Sequence, residues 1–377
     1  MQPTRGRIQP SDFRREEVTY IMQRWRAADS CSLVGVGSVG KSNLLQHLAN
    51  PATQKHYLGI EDPNTFKAII IDPNLLGVFS THGNDQEKCW AGYELMMHRL
   101  YLAFYPFEML DDDEVARFYE IYQALQDGNN PLYAYMGLRY LELGLDFFLR
   151  RGVRMVFMFD EFEEMLKHMP VKFFQTLRGI RDANKRQLSY LTFARAPLPT
   201  LVDRFEIDML AIEPFSELFT DNILYVGPYN EVDGRRMIDS QMARNQRNYP
   251  EQTVRFLMWA TGCYAGLIRS SFRMLETIGQ IDSSSMLNDE MVRKLASKRA
   301  VREECRTIWT SLTPAEQHVL KAAARLVTFY SNNETEYAVT MLVQKKLLHA
   351  DKLNGTLEIQ PPVFRAFVGT DPEELQE

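Results

Sequence analysis

The sequence predicts an α/β fold, a parallel β-sheet sandwiched between helices. Three observations predict it. A glycine-rich loop stands between a short apolar strand and a helix within residues 32–48. A second apolar stretch, Met155 to Phe159, ends in two adjacent carboxylates, Asp160 and Glu161. Strand and helix patterns alternate along residues 31–228, the order that produces parallel sheets.

The first strand is Ser32-Leu33-Val34, and it runs into Gly35-Val36-Gly37-Ser38-Val39-Gly40-Lys41-Ser42, a complete G-x-x-x-x-G-K-[ST] loop. Ser42-Asn43-Leu44-Leu45 then opens a helix. Each residue type has a physical task. Glycines 35, 37 and 40 let the backbone wrap with its N–H groups facing phosphate oxygens, and the helix N-terminus adds a positive dipole. Lys41 reaches the β- and γ-phosphates, and the Ser42 hydroxyl is a Mg²⁺ ligand. A chance match in a glycine turn would lack the strand before and the helix after. The loop therefore predicts binding of a nucleoside triphosphate, ATP, with Mg²⁺.

Lys67 to Ile71 is a second strand, ending at Asp72-Pro73, and helical stretches follow near 87–105, 113–126 and 132–150. Met155 to Phe159 reads as a central strand covered on both faces. At its end, Asp160 completes the Mg²⁺ shell beside Ser42, and Glu161 polarises the attacking water. The alternative is that Asp160 caps the next helix. Glu163 and Glu164 are expected on that helix's solvated first turn, where acids suit the dipole. A helix near 170–185 precedes the strand Leu188 to Ala194, which delivers Thr192 and Arg195 toward a γ-phosphate. A surface arginine beside a proline-rich turn is the alternative for Arg195. Ile223 to Val226 is the last strand of the five.

From about 229 the pattern is helical: one helix from Asn230, another near 250–260, and a third over Leu267–Ile278 that carries Arg269. A lid of this kind lowers Arg269 onto the nucleotide, or leaves it as a solvated helix charge. A long helix is expected around 288–309. Thr313-Pro314-Ala315-Glu316 is a capping box opening a helix whose apolar stripe runs through Val319, Leu320, Ala323, Ala324 and Val327. A helix at about 335–347 and two short strands flanking Asn354-Gly355 complete a winged-helix pattern. The expected domains are an N-terminal segment 1–30, a core 31–228, a helical lid 229–300 and a winged helix 301–377.

With 377 residues, 45% hydrophobic and 24% charged, the chain has the composition of a globular protein of two or three domains. No apolar run reaches the roughly 18–20 residues that span a bilayer, and Met1 to Arg7 lacks a signal peptide's apolar core. Four scattered cysteines suggest reduced thiols in a cytoplasmic protein without a metal cluster. The net charge of −6 argues against wholesale coating of nucleic acid. Residues 301–377 hold 8 Lys/Arg against 11 Asp/Glu, and Glu334 and Glu336 open the would-be recognition helix. That balance disfavours DNA reading. The face formed by Arg178, Arg181 and Lys185 keeps DNA association open.

The order of phosphate loop, Asp160-Glu161, polar-ended strand, helical lid and winged helix resembles the STAND/AAA+ group of ATPases. That group includes archaeal-type ATPases, NACHT and NB-ARC switches and origin-recognition initiators. The resemblance implies a five-stranded sheet of order 5-1-4-3-2, an adenine-side segment at Phe13-Arg14-Arg15-Glu16-Glu17 with Arg15 at the nucleotide, Thr192 and Arg195 near the first sensor position and Arg269 near the second. The chain departs from the pattern at Gly262-Cys263-Tyr264-Ala265-Gly266, which lacks the lid's Gly-x-Pro, and in having no clear trans-acting arginine, for which Arg204 is a candidate. The implied function is a slow, regulatory ATPase. It acts as a switch relaying nucleotide state to a separate effector in signalling, regulation or defence. The alternative is a DNA-associated AAA+ ATPase, a loader or transposition-type regulator. Self-assembly is open, and no membrane partner is implied.

Overall fold

A computed structural model describes residues 9–77, 83–127, 132–278, 289–325, 327, 331–351 and 356–370. Five strands form one parallel sheet: β1 (Cys31–Val34), β2 (Phe66–Ile71), β3 (Arg154–Phe159), β4 (Leu188–Ala194) and β5 (Ile223–Tyr225). Their order is β2-β3-β4-β1-β5, the expected 5-1-4-3-2 counted from the opposite edge. Register is set by apolar residues facing both ways. Ile69 pairs with Phe157, and Phe157 with Tyr190. All seven residues of β4 are buried, so its hydroxyl side chains, Ser189, Tyr190 and Thr192, need partners inside the protein, as Tyr190 finds in the Leu177 carbonyl at 2.7 Å.

The chain divides into two compact units, Met1–Leu33 with Ser42–Leu224, and Val34–Lys41 with Tyr225–Glu377. In the first, helices α1 (Arg15–Arg26), α2 (Lys41–Ala49) and α3 (Pro51–Leu58) accompany β1. Between β2 and β3 come α4 (Asp85–Phe104), α5 (Asp112–Gln126) and α6 (Tyr133–Leu149). These three pack through a dense aromatic core in which the Phe104 and Phe148 rings stack at 3.7 Å and Phe118 meets Phe147 edge-on at 5.6 Å. Then follow α7 (Phe162–His168), α8 (Val171–Ala183), α9 (Leu198–Arg204) and α10 (Met209–Ser216).

The second unit carries α11 (Glu231–Asn245), α12 (Glu251–Thr261), α13 (Ala265–Ile278), α14 (Asp289–Ala296), α15 (Arg299–Thr310), α16 (Pro314–Arg325) and α17 (Asn333–Gln344). The hairpin β6 (Leu348–Asp351) and β7 (Thr356–Ile359) and α18 (Pro362–Gly369) end it. Asn230 starts α11 by accepting the Asp233 N–H at 2.8 Å. The expected capping box is formed: the Glu316 carboxylate takes the Thr313 N–H at 2.8 Å, and the Thr313 hydroxyl takes the Glu316 N–H at 3.2 Å.

Two expectations need correction. The single helix expected near 288–309 is two, α14 and α15, broken at Ser297-Lys298, where Lys298 turns extended at φ −71° and ψ 131°. Val327 does not continue the apolar stripe; α16 stops at Arg325, and Val327 is exposed. The Asn354-Gly355 turn and the segment Met1 to Arg7 lie outside the described residues.

Candidate nucleotide site

The phosphate loop is built on two buried anchors. Val36 and Val39 are fully buried, which fixes the loop while leaving Ser38 and Gly40 half-buried. Gly40 has φ +93°, a conformation that L side chains rarely adopt, and a Cβ there would lie 2.7 Å from the Tyr229 hydroxyl. Gly35 is constrained by space instead, since its Cβ would come within 2.8 Å of the Val226 carbonyl. Ser38 also takes a left-handed backbone, φ 66°. The Lys41 ammonium folds over the loop, donating to the Gly35 carbonyl and, at 3.2 Å, to that of Val36. Ser42 and Asn43 are exposed on the first turn of α2, which carries no acid that would repel an anion.

Within the same unit, α13 and α15 reach the loop. The Gly266 N–H donates to the Ser38 carbonyl at 2.8 Å, and the Ser38 hydroxyl donates to the Glu304 carboxylate. Arg269 binds the other Glu304 oxygen at 3.1 Å. Its guanidinium thus lies one carboxylate away from the loop.

In the other unit, the ends of β2, β3 and β4 gather a polar cluster. Asp160 extends the sheet by donating its N–H to the Ile71 carbonyl at 3.0 Å. Its carboxylate accepts the Glu161 N–H at 3.0 Å, and Glu161 sits in a left-handed conformation, φ 40° and ψ 52°. A non-glycine residue held there carries backbone strain, as residues at functional sites often do. The turn presents the Glu161 carboxylate to the Asn74 amide at 3.2 Å and to Arg195 at 3.9 Å. Asn74 is itself held by Asp72 at 2.9 Å. Arg195 binds Glu163 more closely, at 3.2 Å. Thr192 is buried and donates to the Ser32 hydroxyl at 2.9 Å, joining β4 to β1. Glu161 is the N-cap residue of α7.

Glu163 and Lys345 are placed differently from the sequence reading. Glu163 is buried beneath Arg195 and is not on a solvated turn. Arg15 is exposed at the start of α1, whereas the adjacent Arg14 is buried and bound to Glu17 at 2.6 Å. Arg204 is exposed at the end of α9. The charge of the basic face on α8 is offset in part by one acid. Asp182 meets Arg178 at 2.7 Å, Arg181 at 3.5 Å and Lys185 at 3.9 Å. Lys345 is buried on Glu316, which removes it from any surface footprint.

Asn74 and Glu304 were not singled out by sequence reasoning. Asn74 carried a weak signal, a polar residue just past an apolar strand, the edge where sites in parallel sheets form. Glu304 carried none.

All four thiols are buried. Burial pushes Cys31 up to about 12 and Cys89 and Cys263 to about 11, and it raises Cys305 as well, so they stay protonated and unreactive. Among the described residues no three His, Cys, Asp or Glu side chains gather as a metal site of their own. No described helix is long and apolar enough to cross a membrane. The Ser42 hydroxyl and the Asp160 carboxylate are hard oxygen donors of the kind Mg²⁺ takes. The donor set fits the ion.

No family model matches this sequence, and no curated protein matches it. Solved structures do. The Walker-type ATPase of Pyrococcus abyssi is similar over 97% of this chain and 99% of its own, at 14% identity and a TM-score of 0.53. The ORC2 protein of Aeropyrum pernix, solved with ADPNP and ADP, is similar over 97% of each chain, at 12% identity and a TM-score of 0.49. The Aeropyrum pernix ORC1 protein in complex with DNA is similar over 95% of this chain and 92% of its own, at 12% identity and a TM-score of 0.41. Strand order, the loop after β1 and the likeness to the Pyrococcus ATPase together identify an AAA+-like P-loop ATPase fold.

Proposed function

We propose that the protein binds ATP with Mg²⁺ on residues 35–43 and hydrolyses it slowly with Glu161 as the base. The observation that carries this reading is the Glu161 carboxylate, turned out of the sheet end by a left-handed backbone and oriented by Asn74. A general base must be aimed before it can accept a proton from water, and strain at that residue supports such a task. Lys41 leaves its two loop carbonyls to neutralise the β- and γ-phosphates. Ser42 and Asp160 hold Mg²⁺, which supplies charge neutralisation of the transferring phosphoryl group. Arg195, shared between Glu161 and Glu163, is placed to sense the γ-phosphate, with Thr192 fixing the strand behind it. Arg269 serves from the lid, and Arg15 flanks the base. Residues 1–30, 31–228, 229–300 and 301–377 act as adenine-side segment, core, lid and winged helix.

Two outputs are open for this engine. The architectures compared include origin-recognition proteins, and DNA association is the first to test. Asp182 offsets part of the charge of the Arg178–Lys185 stripe, and Lys345 is buried on Glu316, which weakens the case for it. The second is a switch that relays nucleotide state to a separate protein. Fluorescence anisotropy with labelled duplex DNA, with and without ATP at about 0.15 M salt, decides between them: ATP-dependent binding supports the first, and none favours the second.

The catalytic half is tested by Glu161→Gln, whose amide is nearly isosteric and a poor proton acceptor. The variant is expected to bind ATP as the wild type does and to lose phosphate release about 100-fold or more, within the 10²–10⁴ range of general-base catalysis. Hydrolysis at the wild-type rate would remove Glu161 from this role.

A further inference from the structure

We propose that Glu304 is a latch on the phosphate loop, an acidic side chain that must leave when a triphosphate arrives. The inference rests on residues 35–42 being the phosphate site, and it assigns that site's regulation.

The contact is closely fitted. Helix α15 presents Glu304 and Thr307, one turn apart, to the loop. One Glu304 oxygen accepts the Ser38 hydroxyl, and the other lies 3.1 Å from the Arg269 guanidinium. The Gly266 N–H holds the Ser38 carbonyl at 2.8 Å, so loop, α13 and α15 meet at one residue. Two glycines permit that approach. A Cβ at Gly37 would stand 2.6 Å from the Thr307 methyl and 3.0 Å from its carbonyl. A Cβ at Gly266 would stand 2.3 Å from the Glu304 carboxylate and 2.7 Å from Ser38. The neighbouring Glu303 has a different partner, Arg306 at 3.0 Å, so the contact belongs to Glu304 and not to the acidity of the helix in general.

Electrostatics makes this contact exclusive. A carboxylate and a phosphate are both oxyanions and seek the same donors, here a loop hydroxyl and a guanidinium. Two like charges a few ångströms apart cannot share them without a large cost. Triphosphate on the loop therefore expels Glu304 and releases Arg269 toward the phosphates. Because α15 runs through Ser311-Leu312 into α16, displacement of Glu304 also frees the helix that leads into residues 314–369. Nucleotide occupancy and the state of the C-terminal elements are then linked through one carboxylate, and linkage acts in both directions.

The test measures the affinity of a fluorescent ATP analogue with Mg²⁺ for wild type and for Glu304→Ala, Glu304→Gln, Glu303→Ala and Lys41→Ala. The latch predicts that Glu304→Ala binds tighter by roughly fivefold or more, the lower end of typical coupling between sites. Glu304→Gln, which keeps the shape but not the charge, falls between it and wild type. Glu303→Ala matches wild type. Hydrogen exchange supplies a readout independent of affinity: the analogue should lower protection of residues 299–310 in wild type, and in Glu304→Ala that protection should already be low. Equal or weaker binding by both Glu304 variants, with Lys41→Ala still impaired, would overturn the latch and leave the phosphate site standing. Undiminished binding by Lys41→Ala would overturn the site and the latch together, as would absence of binding by both wild type and Glu304→Ala.

Discussion

Lys345 and Glu316 form an ion pair inside the C-terminal elements, with Nζ and Oε1 2.5 Å apart and the side chains 1% and 2% exposed. The same carboxylate closes the capping box on Thr313, so Glu316 both starts α16 and holds the end of α17. Tyr264, also buried, places its hydroxyl 3.1 Å from the carbonyls of Lys345 and Lys346, which ties the start of α13 to the same spot.

Lys345→Ala should therefore damage stability and not a surface. It strands a carboxylate in the interior, and breaking such a pair from one side costs about 3–5 kcal/mol. Lys346→Ala, at an exposed position, should stay within about 0.5 kcal/mol of wild type. Urea denaturation followed by tryptophan fluorescence separates the two. Equal midpoints for Lys345→Ala and wild type would show that the pair is not what holds these helices.

Asn74 is expected to position Glu161. Without its amide, Glu161 keeps Arg195 as a neighbour, 3.9 Å away, and loses the hydrogen bond that aims its carboxylate. Asn74→Ala should lower kcat about tenfold while leaving the affinity for ATP within about twofold, a split expected of a residue that aims the base without touching substrate. A change in affinity with kcat intact would assign Asn74 to binding instead.

Asp182 predicts a pH dependence. Its hydrogen bond from Arg178, reinforced by the charges of Arg178 and Lys185, holds its carboxyl below the ordinary 3.8. A depressed folded value means that the contribution is complete above the ordinary value and is lost as pH falls through the depressed one. Asp182→Asn should melt slightly lower than wild type at pH 7, on the order of 1–2 °C for a partly exposed pair. That difference should shrink as pH falls below 3.8 and be lost only once pH has passed through the depressed value. A difference that stays unchanged throughout that acid range would point to packing and not charge. Asp182→Asn also removes the negative charge shared by Arg178, Arg181 and Lys185, while Arg178 keeps Glu217 at 3.3 Å, so the variant raises the positive charge of α8 and tests whether that face can touch DNA.

What the sequence made legible was local. The phosphate loop declares itself because its glycines, Lys41 and Ser42 are contiguous and flanked by the strand and helix that give them their conformation. The all-apolar β3 ending in Asp160-Glu161 is contiguous too, and the sheet order followed from resemblance to known ATPases. What escaped was set by chain segments far apart. Glu163 looked solvated because an acid in a first turn usually is; the end of β4 brings Arg195 onto it and buries it. Glu304 lies 266 positions from Ser38, and no periodicity links them. The break between α14 and α15 was hidden because neither Gly nor Pro marks Ser297-Lys298. Lys345 and Lys346 looked alike in sequence, and tertiary packing buried one and exposed the other.

The central claim is that the loop at 35–42 binds a nucleoside triphosphate, and titration calorimetry with ATP and Mg²⁺ on wild type and Lys41→Ala tests it most directly. Lys41 is the loop's own cation, poised on the Gly35 and Val36 carbonyls from which it can turn to phosphate. Its removal is predicted to weaken binding at least tenfold, about 1.4 kcal/mol, with the fold intact by circular dichroism. A folded Lys41→Ala protein that binds ATP as tightly as wild type would contradict the account.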